Sequence, residues 1–267
     1  MKIVSKSSMT SVLVVVLAAL ISVPGVMAAE KLRYSSSAQV NDVFRGEGVS
    51  RFIKETGYEV DMFVCSSSSA LHRLFNGVCD IASSAEPLAP NHAEFGYVET
   101  PFCKVPMIVI TNLETPVDNI SEDQLRAVFS GEITNWKEVG GPDHDIIAIT
   151  PGKDTAAFKN FSMLALKRSE VKYDFMAYRS TMVVTSVARI PWSISFVTKG
   201  SADRDAAIKI LKVNGKFFND KDYSYIQTFS FVTQGEPSGP VKAFIDFAKS
   251  PASQQRMKES GIVPISY

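Results

Sequence analysis

Apolar residues along this chain follow two alternating rhythms. Short unbroken apolar runs give way to stretches where apolar positions return every three or four residues, which predicts an α/β protein with largely parallel sheets. Residues 60–64 read as a strand. Ala70, Leu71, Leu74 and Phe75 then share a helical face, and Gly77 stands where that helix stops. A strand resumes over 79–83, and 107–110 has the composition of a strand buried on both faces.

A polar connector, 111–119, is expected to cross from one body of the protein to a second. Ser121 and Gln124 have capping-box spacing, in which each side chain satisfies the other's free amide. Leu125, Val128 and Phe129 supply the buried face behind that cap, and Gly131 ends the helix. Further strands are expected at 146–149, 194–197 and 229–232, with a helix between the first two carrying Phe158, Phe161 and Leu164. Asn214-Gly215 signals a hairpin between 210–213 and 217–218, because both residues tolerate positive φ. Ser238-Gly239-Pro240 opens a helix with Val241, Phe244, Ile245 and Ala248 inward, and Ser250-Pro251 opens another.

Charge removes some partners. Lys+Arg and Asp+Glu both number 28 in 267 residues, so no net field draws the chain to nucleic acid or acidic lipid. A charged ligand must be held by local geometry. With 45% hydrophobic residues the chain can bury an ample core. Lys2 and Lys6, the apolar run 12–21 and the small residues before Ala28 read as a cleavable secretory signal over 1–28, since the run is short for a membrane anchor. That reading implies a soluble periplasmic product. Cys65, Cys79 and Cys103 form an odd set for an oxidising compartment. Two readings stand: a Cys65–Cys79 disulfide with one spare thiol, or three small buried residues without a bond.

Residues 120–141, ISEDQLRAVFSGEITNWKEVGG, form a long and specific block. With 77–84 (GVCDIASS), the turn 213–215, 241–250 (VKAFIDFAKS) and 261–265 (GIVPI), the chain resembles the periplasmic phosphate-binding proteins of ABC uptake systems. The resemblance implies a two-lobed type II periplasmic binding protein fold with a ligand cleft between the lobes. Residues 29–112 with 228–267 would form lobe 1 and 113–227 lobe 2, joined by a double crossover. It further implies capture of a small oxyanion, phosphate first, by a monomer that docks on a membrane permease, with no cofactor and no catalysis. The family's site is a set of amides and hydroxyls at helix N-termini, where free N–H groups and the helix dipole favour negative charge.

Three loops would supply that site: Ser36, Ser37 and Gln39; the serine turn 66–69 with Ser67 and Ser68; and 151–157 with Lys153, Asp154 and Thr155. Ser84 and Glu86 join them, flanking Ala85 at the position of the family's proton-accepting carboxylate. Pro151 stands at the family's arginine and Thr155-Ala156-Ala157 at its Ser-Gly-Thr, so a guanidinium and a hydroxyl are missing. Asp154 is expected to cap the following helix, setting a carboxylate where an oxyanion would sit. Each lost charge-assisted bond costs on the order of 1.5–3 kcal/mol. Lys153, Lys104 and Arg179 are the candidate replacement cations. These departures support an alternative reading, a diverged module of the same fold acting as a sensor or interaction protein.

Other chemistry has little behind it. Cys65 and His72 lie about two helical turns apart with no third group to orient them. His92 and His144 have no metal-ligand spacing, and no glycine-rich nucleotide loop occurs. Trp136 lies inside the long block and reads as a packing residue.

Overall fold

The computed structural model describes residues 30–202 and 207–265, so the leader read at 1–28 lies outside the described residues. The chain runs through β1 (Lys31–Ser37), α1 (Asn41–Phe44), α2 (Glu47–Thr56), β2 (Glu59–Cys65), α3 (Ser67–Phe75), β3 (Ile81–Ser84) and α4 (Pro90–Glu94). A strand of 16 residues follows, β4 (Tyr97–Asn112), then β5 (Asn119–Ile120) and α5 (Glu122–Ser130). After a 3-10 turn at Trp136–Val139 come β6 (Ile147–Pro151), α6 (Ala156–Leu164), β7 (Phe175–Ala177), α7 (Ser180–Arg189) and β8 (Ser193–Thr198). α8 (Lys199–Ala202), β9 (Ile208–Val213), β10 (Ile226–Gln234), α9 (Gly239–Lys249), α10 (Pro251–Glu259) and β11 (Val263–Pro264) complete it.

Pairing follows the order β2-β1-β3-β10-β4-β8-β6-β7. β4 divides this path into two sheets. As far as Pro106 it pairs with β10, and from Met107 onward with β8 and β9. The returning chain runs alongside, because the Met107 amide donates to the Tyr225 carbonyl at 2.8 Å just before β10 begins. Two neighbouring crossings therefore join a first lobe to a second.

The polar segment 111–119 does not make the crossing. Thr111 still pairs with Ile194 and Lys209, and Asn112 with Ile208. Its polarity misled because Asn112 is buried and spends its side-chain amide on the Val187 and Ala188 carbonyls, at 2.9 and 3.1 Å. The sheets are also less parallel than expected. The β1–β2, β1–β3, β6–β7 and β6–β8 pairs are parallel, but β4 and β10 run antiparallel to each other and to β8 and β3 respectively. A strand that crosses between lobes has its direction set by the crossing.

Each lobe has its own core. In the first, Tyr34, Phe44, Phe52, Phe231 and Phe244 pack together, and Phe102 stacks on Phe231 with ring centroids 4.0 Å apart. The second buries Phe129, Trp136, Phe161 and Phe196, the last two stacked at 3.9 Å. Trp136 is a packing residue, as its sequence context implied: it is fully buried and its indole N–H donates to the Trp192 carbonyl at 2.8 Å. Ser121 and Gln124 form the expected capping box, and Gly131 ends α5 at φ 74°. The turn at Asn214-Gly215 forms with both φ positive, yet only a Val213–Lys216 bridge follows. Phe217 turns away instead, its amide donating to the Asp220 carboxylate at 2.7 Å.

Candidate functional site

Three strand-to-helix loops meet where the lobes face each other. In the first, Ser36 and Ser37 are the last residues of β1, both buried. The Ser36 hydroxyl donates to the Ser37 carbonyl at 3.3 Å, and the Ser37 amide donates to the Ser83 hydroxyl at 2.8 Å. Gln39 is half-buried in the turn that follows, and its side-chain carbonyl lies 3.5 Å from the Gln227 amide that donates to it.

The second loop divides its serines by task. Ser66 caps α3, its hydroxyl accepting from the Ser69 amide at 3.1 Å. Ser67 is 2% exposed; it donates to the Ser37 hydroxyl and accepts from the Ala85 amide at 3.1 Å, so it acts as a strut. Ser68 reaches across the seam. Its hydroxyl lies 2.6 Å from the Glu86 carboxylate and 2.8 Å from the Asp154 carbonyl of the opposite lobe. One hydroxyl carries one proton, so only one of these acceptors is served at a time.

In the third loop the cap is Thr155, not Asp154. The Thr155 hydroxyl accepts from the Phe158 amide at 3.2 Å and donates to the Gly152 carbonyl at 2.7 Å. The extended backbone of Thr155, φ −82° and ψ 146°, puts its side chain over the free amides. The Asp154 side chain is exposed, and its backbone makes the contact with Ser68. Lys153 turns toward its own lobe, with Nζ 5.4 Å from the Tyr173 ring centre. Ala156, at 4% exposure, packs into the core of the first lobe, so the first turn of α6 is seated across the seam.

Glu86 and Ser84 belong to the same junction. Ser84 pins the backbone of Glu86, accepting from its amide at 2.9 Å and donating to its carbonyl at 3.0 Å. The Glu86 carboxylate then pairs with the Lys159 ammonium of the opposite lobe. Lys159 is therefore the cation at this point of the seam. Lys104 is exposed on β4 and Arg179 is exposed before α7, so neither of the other candidate replacements supplies this contact.

Sequence reasoning missed Asn160, Thr198 and Gln227. The buried Asn160 amide donates to the Ala85 carbonyl and to the Gln227 side-chain carbonyl, both at 2.9 Å. Gln227 in turn donates to the Thr198 hydroxyl at 2.9 Å. A signal was present: Asn160 is a polar residue on the α6 face that otherwise buries Ala156, Ala157 and Phe161. A buried amide of that kind must find partners.

The three cysteines are free thiols, so the Cys65–Cys79 disulfide is not formed. Burial pushes the Cys65 thiol up to about 11 and raises those of Cys79 and Cys103 as well. A thiol so raised is not a nucleophile near neutral pH. His72 is bound to the Asn76 amide at 3.1 Å, and His144 stacks on Trp192. Among the described residues no group of His, Cys, Asp and Glu side chains could hold a metal ion, and no helix is long and apolar enough to cross a membrane.

A sequence profile described as the PBP superfamily domain matches residues 28–252. The phosphate-binding protein PstS of Borreliella burgdorferi is 29% identical over 215 residues, spanning 74% of this chain and 77% of that protein. PstS of Bacillus subtilis is 28% identical over 167 residues, 61% of this chain and 56% of that protein. Among solved structures, PstS from Borrelia burgdorferi superimposes with a TM-score of 0.63 at 27% identity, covering 89% of this chain and 100% of that one. A putative phosphate ABC transporter substrate-binding protein from Clostridium perfringens, solved with bound phosphate, reaches a TM-score of 0.80 over 89% of this chain and 100% of that one. At 21% identity the latter likeness establishes the fold alone.

Proposed function

The chain belongs to the PBP superfamily domain family, and from that premise we propose that it is an exported binding protein that captures a small oxyanion, inorganic phosphate first, for ABC-type uptake. In this reading the lobes divide where strand pairing changes, at Pro106/Met107 and Tyr225/Ile226. The ligand enters between them, closure buries it, and the closed form docks on a membrane permease in the periplasm. The protein acts by binding and not by catalysis.

One observation carries this reading. Three strand-to-helix loops, ending at Gln39, Ser66 and Thr155, converge on the seam, with Ser68 within 2.8 Å of the opposite loop. Strand-to-helix loops of this kind offer amides and hydroxyls to an anion. The names of the relatives in the Borreliella and Bacillus species point to phosphate.

A second reading has an observation of its own. The Glu86 carboxylate already accepts from Ser68 and Lys159, and Ala156 fills part of the seam, so protein groups stand where a ligand would. A diverged module, serving as a sensor or interaction protein, would tolerate such filling. Titration calorimetry with phosphate, sulfate, molybdate and small carboxylates separates the two. Phosphate is expected to bind at micromolar strength; no heat from any of these anions at millimolar concentration would sink the capture role.

A further inference from the structure

The strand path ends in β7, and among the described residues this strand pairs only with β6. Its outer side is an open sheet edge, a ready template for another strand. Proteins usually guard such an edge with charged side chains or proline. β2, at the other end of the path, carries Glu59 and Asp61 along its length. β7 has no such guard: Phe175, Met176 and Ala177 are all apolar, and Phe175 and Met176 are exposed. Tyr178 and Met182, both exposed, extend the apolar surface further along the chain.

We propose that β7 is a self-association edge whose occupant is β7 of a second copy, paired antiparallel about Met176. Three features of the edge select this partner. The strand has three residues, so a two-fold axis at the middle one pairs the whole edge and leaves none for further growth. Antiparallel order brings the exposed Asp174 end of each copy beside the exposed Arg179 end of the other, so opposite charges meet on both sides of the axis.

Area sets the strength. Phe175 is 55% and Tyr178 75% exposed. At about 200 Å² per aromatic side chain, the two leave roughly 250 Å² open in each copy. Pairing covers about 500 Å² of aromatic surface with the methionines in addition, which falls short of the ~1,200 Å² at which stable interfaces begin. The dimer is accordingly transient, with a dissociation constant on the order of 100 μM. Self-association at β7 does not depend on what binds in the seam between the lobes.

Sedimentation velocity of the purified chain from ~10 μM to ~1 mM tests this, a range that brackets so small an interface. The parent is expected to pass from monomer to dimer and to stop there. Met176→Lys sets two lysines face to face at the axis, and Met176→Glu two carboxylates, so each should weaken the dimer about tenfold or more. Because Met176 is exposed, both variants should melt as the parent does. An equimolar mixture of the two sets lysine opposite glutamate and should restore association. Growth past the dimer, single variants that associate as the parent does, or a mixture no stronger than its components would each overturn the pairing. So would a parent that stays monomeric up to ~1 mM, which would leave the edge to a different protein.

Discussion

Ser67 and Ser68 are neighbours on one helix turn, yet one is a strut within its lobe and the other a bridge between lobes. Side-chain chemistry does not distinguish them; position on α3 does. Asp80 shows how a single residue can make its environment measurable. Burial pulls its carboxyl upward, but the Arg33 guanidinium and amide bind it, and the net effect holds it below the usual carboxylate range. A carboxylate depressed in the folded state adds stability that is full above the unfolded value, near ~4, and fades as pH falls through the folded value. Asp80→Asn is therefore expected to lose about 0.5–1 kcal/mol at neutral pH, as partly exposed pairs do, with the deficit shrinking below pH ~4. Urea melts of both proteins across that range check it; a deficit constant with pH would remove Asp80 from the acid response.

At the scale of elements, α6 carries the most consequence. Its first turn crosses the seam, its N-cap orders the third loop, and its buried face holds Asn160. Thr155→Ala removes the acceptor for the Phe158 amide and the donor to the Gly152 carbonyl, so it should cost about 1–2 kcal/mol. Hydrogen exchange would then show faster opening at the start of α6 than at α5. Unchanged protection at α6 would mean that seating on the first lobe, not the cap, orders that turn. The α5 box was legible because Ser121 and Gln124 lie three residues apart and answer each other locally. The α6 cap was not, because Asp154 and Thr155 are both capable caps and only the backbone bend decides between them.

At the scale of the whole molecule, side chains of each lobe reach polar groups of the other. Asn160, Gln227, Ala85 and Thr198 form a buried chain of hydrogen bonds across the junction, where a lost partner leaves a desolvated polar group. Asn160→Ala strands the Ala85 and Gln227 carbonyls and should destabilise the fold by about 1–3 kcal/mol. It should also open the lobes, read as a larger radius of gyration in solution scattering. A variant that melts earlier but scatters as the parent does would show the network to be a stability element and not a clasp.

Much of the architecture was present in the chain as written, because strand and helix rhythm, capping spacing and glycine stops are local properties that burial then confirms. The α5 box, its Gly131 stop and the buried run 107–110 belong to that class, whereas the two lobes and the packing role of Trp136 were implied by the family resemblance. The tertiary structure decided the rest. It put the crossing inside β4, where a buried Asn112 imitates a loop; it assigned the serine hydroxyls to struts and bridges; and it brought Asn160 to Gln227 across 67 residues. Such pairings answer to the desolvation of polar groups far apart in sequence, and local pattern carries no record of them.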